Sequence, residues 1–180
     1  MTRRLLTIAL TLLATLALAA TANASHMPGS CTNCASHKHW PMPDGLILMA
    51  RGESAASYTG TWKSDELIGH HGSDTLRGKG GSDILWGNWD PNQRTDQYDV
   101  IWGGDGNDFI YGSRGHNRIF GGRGNDAISV HYGRGVVDCG PGRDIYHVAR
   151  SRRAGYKFIN CEKVDYRPEK VRGQGLKPLR

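Results

Sequence analysis

Between Gly60 and His147 the chain repeats one pattern of apolar and polar positions every nine residues. Numbered from the first residue of each copy, position 8 reads Leu67, Leu76, Leu85, Ile101, Ile110, Ile119, Ile128, Val137 and Tyr146. Two residues earlier, position 6 reads Asp65, Asp74, Asp83, Asp99, Asp108, Asn117, Asp126, Gly135 and Asp144. Glycines concentrate at positions 1, 2 and 4, most completely in Gly103–Tyr111 (GGDGNDFIY) and Gly121–Ser129 (GGRGNDAIS). Copies start at Gly60, Gly69, Gly78, Gly87, Gly103, Gly112, Gly121, Val130 and Cys139 and follow one another without a gap. The fourth runs to Trp102 and carries seven extra residues in its turn. A short fixed period of this kind marks a solenoid.

One aliphatic residue flanked by variable ones fits a three-residue strand with its middle side chain turned inward. The glycines fit tight turns that need positive φ or a close backbone approach. Each nonapeptide is therefore predicted to be a turn followed by a short strand. Strict coupling of the acid to the aliphatic residue two places later separates the segment from a solvated Gly/Asp-rich loop.

The array resembles the RTX, or haemolysin-type, calcium-binding repeat family. The resemblance implies an all-β fold, a parallel β-roll. In this right-handed solenoid of two sheets, two nonapeptides complete one coil and alternate copies stack. Position-6 acids then meet along each side of the roll. A row of carboxylates so close repels itself. A hard cation taking about six to eight oxygens relieves the conflict, with turn carbonyls completing the shell. Calcium is thus the expected cofactor. Its expected ligands are the side chains of Asp65, Asp74, Asp83, Asp99, Asp108, Asn117, Asp126 and Asp144, with main-chain oxygens at Gly103, Gly106, Gly121 and Gly124. Odd-numbered copies carry an unbroken acid series, whereas even-numbered ones degrade through Asn117 to Gly135. Lys63 stands where the first copy should have its fourth-position glycine, and the insertion Trp89–Gln97 falls in copy four. The most secure sites are expected between Asp83 and Asp108 and between Asp108 and Asp126. With so thin a core, calcium is expected to act as a folding cofactor.

The four cysteines allow three pairings. The run Val137–Asp144 followed by Asn160-Cys161-Glu162 resembles the end of secreted actinobacterial-type members of the family. That likeness implies a Cys139–Cys161 disulfide within a C-terminal cap, which an open solenoid end requires. Cys31 and Cys34, with His37 and His39, have the composition of a zinc site. A Cys31–Cys34 disulfide is the favoured alternative in an exported chain.

Arg3 and Arg4 precede the apolar stretch Leu5–Ala20 and the small-residue site Ala22-Asn23-Ala24. This is the pattern of a signal peptide cleaved after Ala24, and it predicts a secreted, extracellular protein. The stretch is short for a membrane span, and no later segment is apolar enough for one. The expected division is a signal peptide at 1–24, a Cys/His/Pro-containing leader at 25–59, the roll at 60–147, and a cap with a basic tail at 148–180. The formal net charge of +6 hides an asymmetry: the array holds nine Lys/Arg against twelve Asp/Glu, and the segment from Val148 ten against three. A basic tail suits an anionic cell-surface polymer, while no aromatic–basic motif organises it for nucleic acid. At positions 7 and 9, Trp86, Trp102, Phe109, Tyr111 and Phe120 are expected to face outward. There they suit a carbohydrate, or packing against the insertion or the leader. The chain has neither a His-Glu-x-x-His nor a Gly-x-Ser-x-Gly motif. The resulting reading is a secreted, non-enzymatic calcium-binding repeat protein acting as an extracellular or cell-surface binding module. The alternative is an accessory or remnant module of an RTX-type hydrolase or toxin.

Overall fold

The computed structural model describes residues 41–88 and 97–166. Short strands alternate between two parallel sheets, each strand pairing with the next but one in the chain. The first sheet contains β1 (Ile47–Met49), β3 (Glu66–Ile68), β5 (Ile84–Trp86), β7 (Phe109–Tyr111), β9 (Ala127–Ser129), β11 (Ile145–His147) and β13 (Lys163–Asp165). The second contains β2 (Ser57–Thr59), β4 (Thr75–Gly80), β6 (Tyr98–Asp105), β8 (His116–Arg123), β10 (Arg134–Asp138) and β12 (Tyr156–Ile159). The result is a parallel two-sheet β-solenoid of about six turns. Odd-numbered copies build the first sheet and even-numbered copies the second.

Position 8 sets the register. In the first sheet Leu48, Leu67, Leu85, Ile110, Ile128, Tyr146 and Val164 stand directly beside one another. In the second the rank is Tyr58, Leu76, Ile101, Ile119, Val137 and Phe158. These two ranks face each other as one core, and Leu67 through Val137 at position 8 expose no surface. Each such side chain contributes roughly 1.5–3 kcal/mol by leaving water. The insertion in copy four leaves this order intact, because Leu76 still pairs with Ile101 across it. Extra residues in a turn need not disturb a strand register fixed by its apolar middle residue.

Both sheets run past the repeat. Leu48 and Tyr58 extend the ranks at one end, and Phe158 and Val164 at the other. A 3₁₀ segment at Arg150–Gly155 carries the chain from β11 to β12. Cys139 is bonded to Cys161, with the Cα atoms 5.1 Å apart. That bond ties the last nonapeptide to the segment between β12 and β13. Cys31, Cys34, His37 and His39 lie outside the described residues, as do the expected signal segment and the tail after Tyr166.

The outward positions of the two sheets differ. Phe109 and Tyr111 are buried on the outer face of the first sheet, with Ile84, Ala127, Ile145 and the half-buried Trp86. Trp86 stacks on Tyr111 at 4.1 Å. Trp102 and Phe120 lie half-exposed on the second sheet. All five aromatics are on outward positions as expected, and for Phe109 and Tyr111 the burial matches the packing alternative and not a ring open to a carbohydrate. A strand's outward side is polar only where water meets it, and the first sheet's outer side is buried.

Candidate metal centre

Positions 6 and 8 are two residues apart and point to the same side of an extended chain. The geometry that buries the aliphatic residue therefore buries the acid before it, where the turn enters the strand. Asp65, Asp74, Asp83, Asp99, Asp108 and Asp144 expose no surface, and Asp126 exposes 1%. A buried carboxylate is costly unless hydrogen-bonded or neutralised.

One oxygen of each acid is used by the backbone. Asp83 Oδ1 accepts the amide N–H of Asp65 at 2.7 Å, Asp108 that of Asp83 at 2.8 Å, Asp126 that of Asp108 at 2.9 Å, and Asp144 that of Asp126 at 2.7 Å. Leu46 N–H donates to Asp65 in the same way. On the other side, Asp74 accepts from Ala56 at 2.7 Å and Asp99 from Asp74 at 2.8 Å. Each acid thus reaches back one coil and satisfies an amide that the turn leaves without a partner. The first column ends on a residue outside the nine copies: Glu162 Oε2 accepts the amide of Asp144 at 2.8 Å. The sequence did carry a signal for it, since Glu162 precedes Val164 with the acid-to-aliphatic spacing of the repeat.

The second oxygen divides the acids. Asp65 Oδ2 accepts the Thr61 amide at 2.6 Å, and Asp74 Oδ2 the His70 amide at 3.0 Å. In Asp83, Asp99, Asp108, Asp126 and Asp144 it is buried and accepts no hydrogen bond. The Ser113 hydroxyl donates to Asn117 at 3.1 Å and is near enough to Asp99 to pull its carboxyl down against the rise from burial. Three of the unpaired oxygens, those of Asp83, Asp108 and Asp126, share their space with main-chain carbonyls. A side chain at Gly103 would collide with both Asp108 Oδ2 and the Gly121 carbonyl oxygen. At Gly78 the pair is Asp83 Oδ2 and the Gly103 oxygen, and at Gly121 it is Asp126 Oδ2 and the Cys139 oxygen. Only acceptors converge, so the cradle suits a cation and no hydrogen-bond donor of the chain fills it. Among the described residues no three His, Cys, Asp or Glu side chains cluster as a metal site. The oxygens come instead one carboxylate per coil with carbonyls between, a hard-ion setting and not a zinc-like one.

Burial is the main cause that pushes these carboxyls up: Asp83 and Asp126 to about 7, Asp108 to about 8, and Asp99 and Asp144 to about 6. The amide bonds pull the other way. The neighbouring acids add to the rise, Asp126 and Asp83 acting on Asp108, and Asp144 on Asp126. Without a cation, each column strains against its own charge.

Residues 59–93 and 98–128 match the RTX calcium-binding nonapeptide repeat, in four copies. Residues 59–128 thus carry RTX repeats. RTX nonapeptide repeats bind calcium ions, and an oxygen-only cradle at a buried carboxylate fits that ion. No curated protein and no solved structure matches the chain.

The fit to calcium varies along the RTX array. It is best in the column Asp83, Asp108, Asp126 and Asp144, where every second oxygen is unpaired. Gly106 and Gly124 have φ of 135° and 132°, and a Cβ at either would strike the carbonyl of the preceding coil. The coils there approach more closely than any side chain would permit. Position 2 of copy three is Lys79, which holds φ at 81°, a strained value for a residue with a side chain. A parallel line of position-5 groups stitches the same turns: Ser82 Oγ accepts from Asn107, Asn107 Oδ1 from Asn125, and Asn125 Oδ1 from Arg143.

The second column changes character at Asn117. Its Oδ1 turns to its own turn and accepts the Ser113 amide at 2.8 Å. Its Nδ2 donates to the Ser113 carbonyl at 2.9 Å and to the Tyr156 hydroxyl at 2.8 Å. The Tyr156 hydroxyl in turn donates to the Tyr132 carbonyl at 2.7 Å. Burial pushes the Tyr156 phenol well above its ordinary value, so it stays neutral.

Proposed function

We propose that this chain is an exported module, without catalytic chemistry of its own, that calcium folds and that docks on an anionic polymer outside the cell. The observation that carries the calcium part is the set of buried carboxylate oxygens without a hydrogen bond, of which those of Asp83, Asp108 and Asp126 each lie beside a main-chain carbonyl. Asp83, Asp108, Asp126 and Asp144 would hold the ions on the first side, with the carbonyls of Gly103, Gly121 and Cys139, and Asp99 on the second. The ion supplies charge neutralisation there. The residues themselves cap amides and set the distance between coils. Every acid in the columns is engaged in this structural task, which supports a non-catalytic reading. The Cys139–Cys161 bond and the signal-like residues 1–24 support export.

The outer face of the second sheet supports the partner reading. Arg77, Arg118, Arg134 and Lys157 are exposed there. Of the acids on this sheet, Asp138 accepts a hydrogen bond from Asn160 at 2.9 Å, and Asp105 lies 3.9 Å from the exposed Arg123. Trp102 stacks on Phe120 at 5.7 Å, Arg77 lies 4.3 Å over Trp102, and Arg118 lies 5.3 Å from the Phe120 ring centre. Tyr98 and His116 stack on each other at 6.2 Å. Ring faces so occupied offer little to a neutral sugar or a nucleobase. Guanidiniums held on rings keep outward N–H groups for carboxylate, sulfate or phosphate. A linear polyanion matches such a face.

Two experiments test the two parts. In excess chelator at neutral pH the β signal in circular dichroism should weaken and its urea midpoint fall, and both should return with calcium but poorly with magnesium, which demands a smaller octahedral shell. A spectrum unchanged by chelator would overturn the calcium part. With calcium present, the chain should bind dextran sulfate and not neutral dextran. The double variant Arg77→Glu/Arg118→Glu should lose that binding while keeping its spectrum. Equal binding of both polymers, or no effect of the variant, would overturn the partner part.

A further inference from the structure

On the second side of the roll, three position-6 residues run Asn117, Gly135 and Tyr156 where the first side runs Asp126, Asp144 and Glu162. Gly135 has no side chain, and a Cβ there would strike the Asn117 carbonyl. The Tyr156 side chain therefore passes back over one whole coil, and its hydroxyl reaches Asn117 in the turn of copy six. Asn117 and Tyr156 are both buried, exposing 2% and 4%. Every hydrogen-bonding atom in this cluster is matched. Asn117 Oδ1 faces the Ser113 amide and hydroxyl, Asn117 Nδ2 faces the Ser113 carbonyl and the phenol, and the phenol donates to the Tyr132 carbonyl. The cluster has no carboxylate and no unpaired oxygen of its own; the acid before it in the column, Asp99, lies one coil back and acts on the phenol through its charge. The cluster uses donors, where the first side gathers only acceptors.

We infer that the second column holds calcium no further than Asp99, and that from Asn117 onward the Tyr156 phenol and the Asn117 amide stand in for the ion as a neutral, permanent plug. Asn117, which the repeat pattern places among the ligands, is a plug residue in this assignment. The assignment rests on the reading that calcium fills the acid columns. It divides the roll into a side whose turns need calcium throughout and a side whose last turns do not. The Cys139–Cys161 bond lies at the same end, so this end is held by a covalent tie and a neutral network together.

Calorimetric calcium titration of the full chain and three variants tests it. Asn117→Ala should leave the number of bound ions unchanged, and a loss of one ion would overturn the proposal. Tyr156→Phe should lower the urea midpoint by the same amount with calcium and with chelator. A loss seen only with calcium would show that the hydroxyl supports an ion, and would overturn it too. Asn117→Asp/Tyr156→Phe should gain one ion, because an acid then faces a space freed of its donor. No gain there would count against the phenol as the occupant of that space. Hydrogen exchange on the unaltered chain guards against a variant that fails to fold. After chelation the amides of Ser113 and Gly133–Val137 should keep protection that Asp108 and Asp126 lose, and equal loss would overturn the plug. A wild-type chain that binds no calcium at all would instead sink the underlying calcium reading.

Discussion

Replacing Asp108 by asparagine should stabilise the chelated protein and cancel most of that gain once calcium is present. The side chain keeps an Oδ1 for the Asp83 amide, so the backbone cap survives. What changes is the second oxygen, buried, unpaired and facing the Gly121 carbonyl. Burial and the flanking acids lift this carboxyl from 3.8 to about 8. Each tenfold change in proton affinity is about 1.4 kcal/mol, so ionising it inside the chelated fold costs on the order of 5 kcal/mol. Asparagine cannot ionise, and its amide can donate to the carbonyl. In chelator near pH 8 the variant should therefore gain a few kcal/mol. With calcium most of that gain disappears. An ion at about ten times its dissociation constant contributes roughly 1.4 kcal/mol per site, and Asp108 stands between two neighbours of its column. The variant should therefore forgo roughly 3 kcal/mol of stabilisation by calcium, which offsets most of what it gains in chelator. Urea unfolding followed by circular dichroism, run once in chelator and once with calcium at about ten times its dissociation constant, gives both numbers. An equal shift in both conditions would refute the reasoning, because it would mean that Asp108 takes no part in holding an ion.

Other outcomes follow from the same geometry. Asp83, Asp108 and Asp126 have carboxyls raised above the unfolded value. In chelator, each contributes stability that is complete below about pH 4 and is lost as pH rises through about 7 to 8. The urea midpoint without calcium should fall over that window, and a midpoint that rises there would contradict the assigned burial. Lys79→Gly should stabilise by about 1 kcal/mol, since it relieves a positive φ of 81°; thermal unfolding would detect it, and a drop in Tm would argue that the lysine side chain matters more than its backbone. Asp108→Ala should reduce calcium binding in calorimetry more than Asp74→Ala, whose second oxygen is already taken by the His70 amide. Replacing Cys139 and Cys161 by serine should cost about 3 kcal/mol for a sequence separation of 22 residues. It should also speed exchange in residues 130–147 more than in 103–129; uniform exchange would mean that the bond does not close the end.

Strand order, sheet pairing and the buried acids were legible because one residue in nine had to be apolar and one acidic. Where the turn loses its glycines, the pattern goes silent although the coil continues. Leu46 and Leu48, Ala56 and Tyr58, and Tyr156 and Phe158 each keep the two-residue offset that places position 8, yet none of the three pairs carries an acid. Glu162 and Val164 keep both features and extend the first column one coil past the ninth copy. The outward positions were the least legible. Their burial depends on what lies over the sheet, and a local period does not encode that. The role of Asn117 was hidden for a related reason. Its partner Tyr156 is 39 residues away, and only the absent side chain of Gly135 lets the two meet.

Because strand n pairs with strand n+2, the two sides of the roll have a parity. Losing one nonapeptide would move every later copy to the opposite side; loss of copy five, for example, would set Asp126 above Asp99 and Asn117 above Asp83. Acceptor-only turns would then abut turns that carry donors, and the phenol of Tyr156 would swing toward the wrong edge. Losing two adjacent copies would shorten the roll by one coil and leave both columns in order. Lineages of such chains should therefore grow and shrink in steps of eighteen residues, while single turns remain free to lengthen, as the seven extra residues of copy four have done.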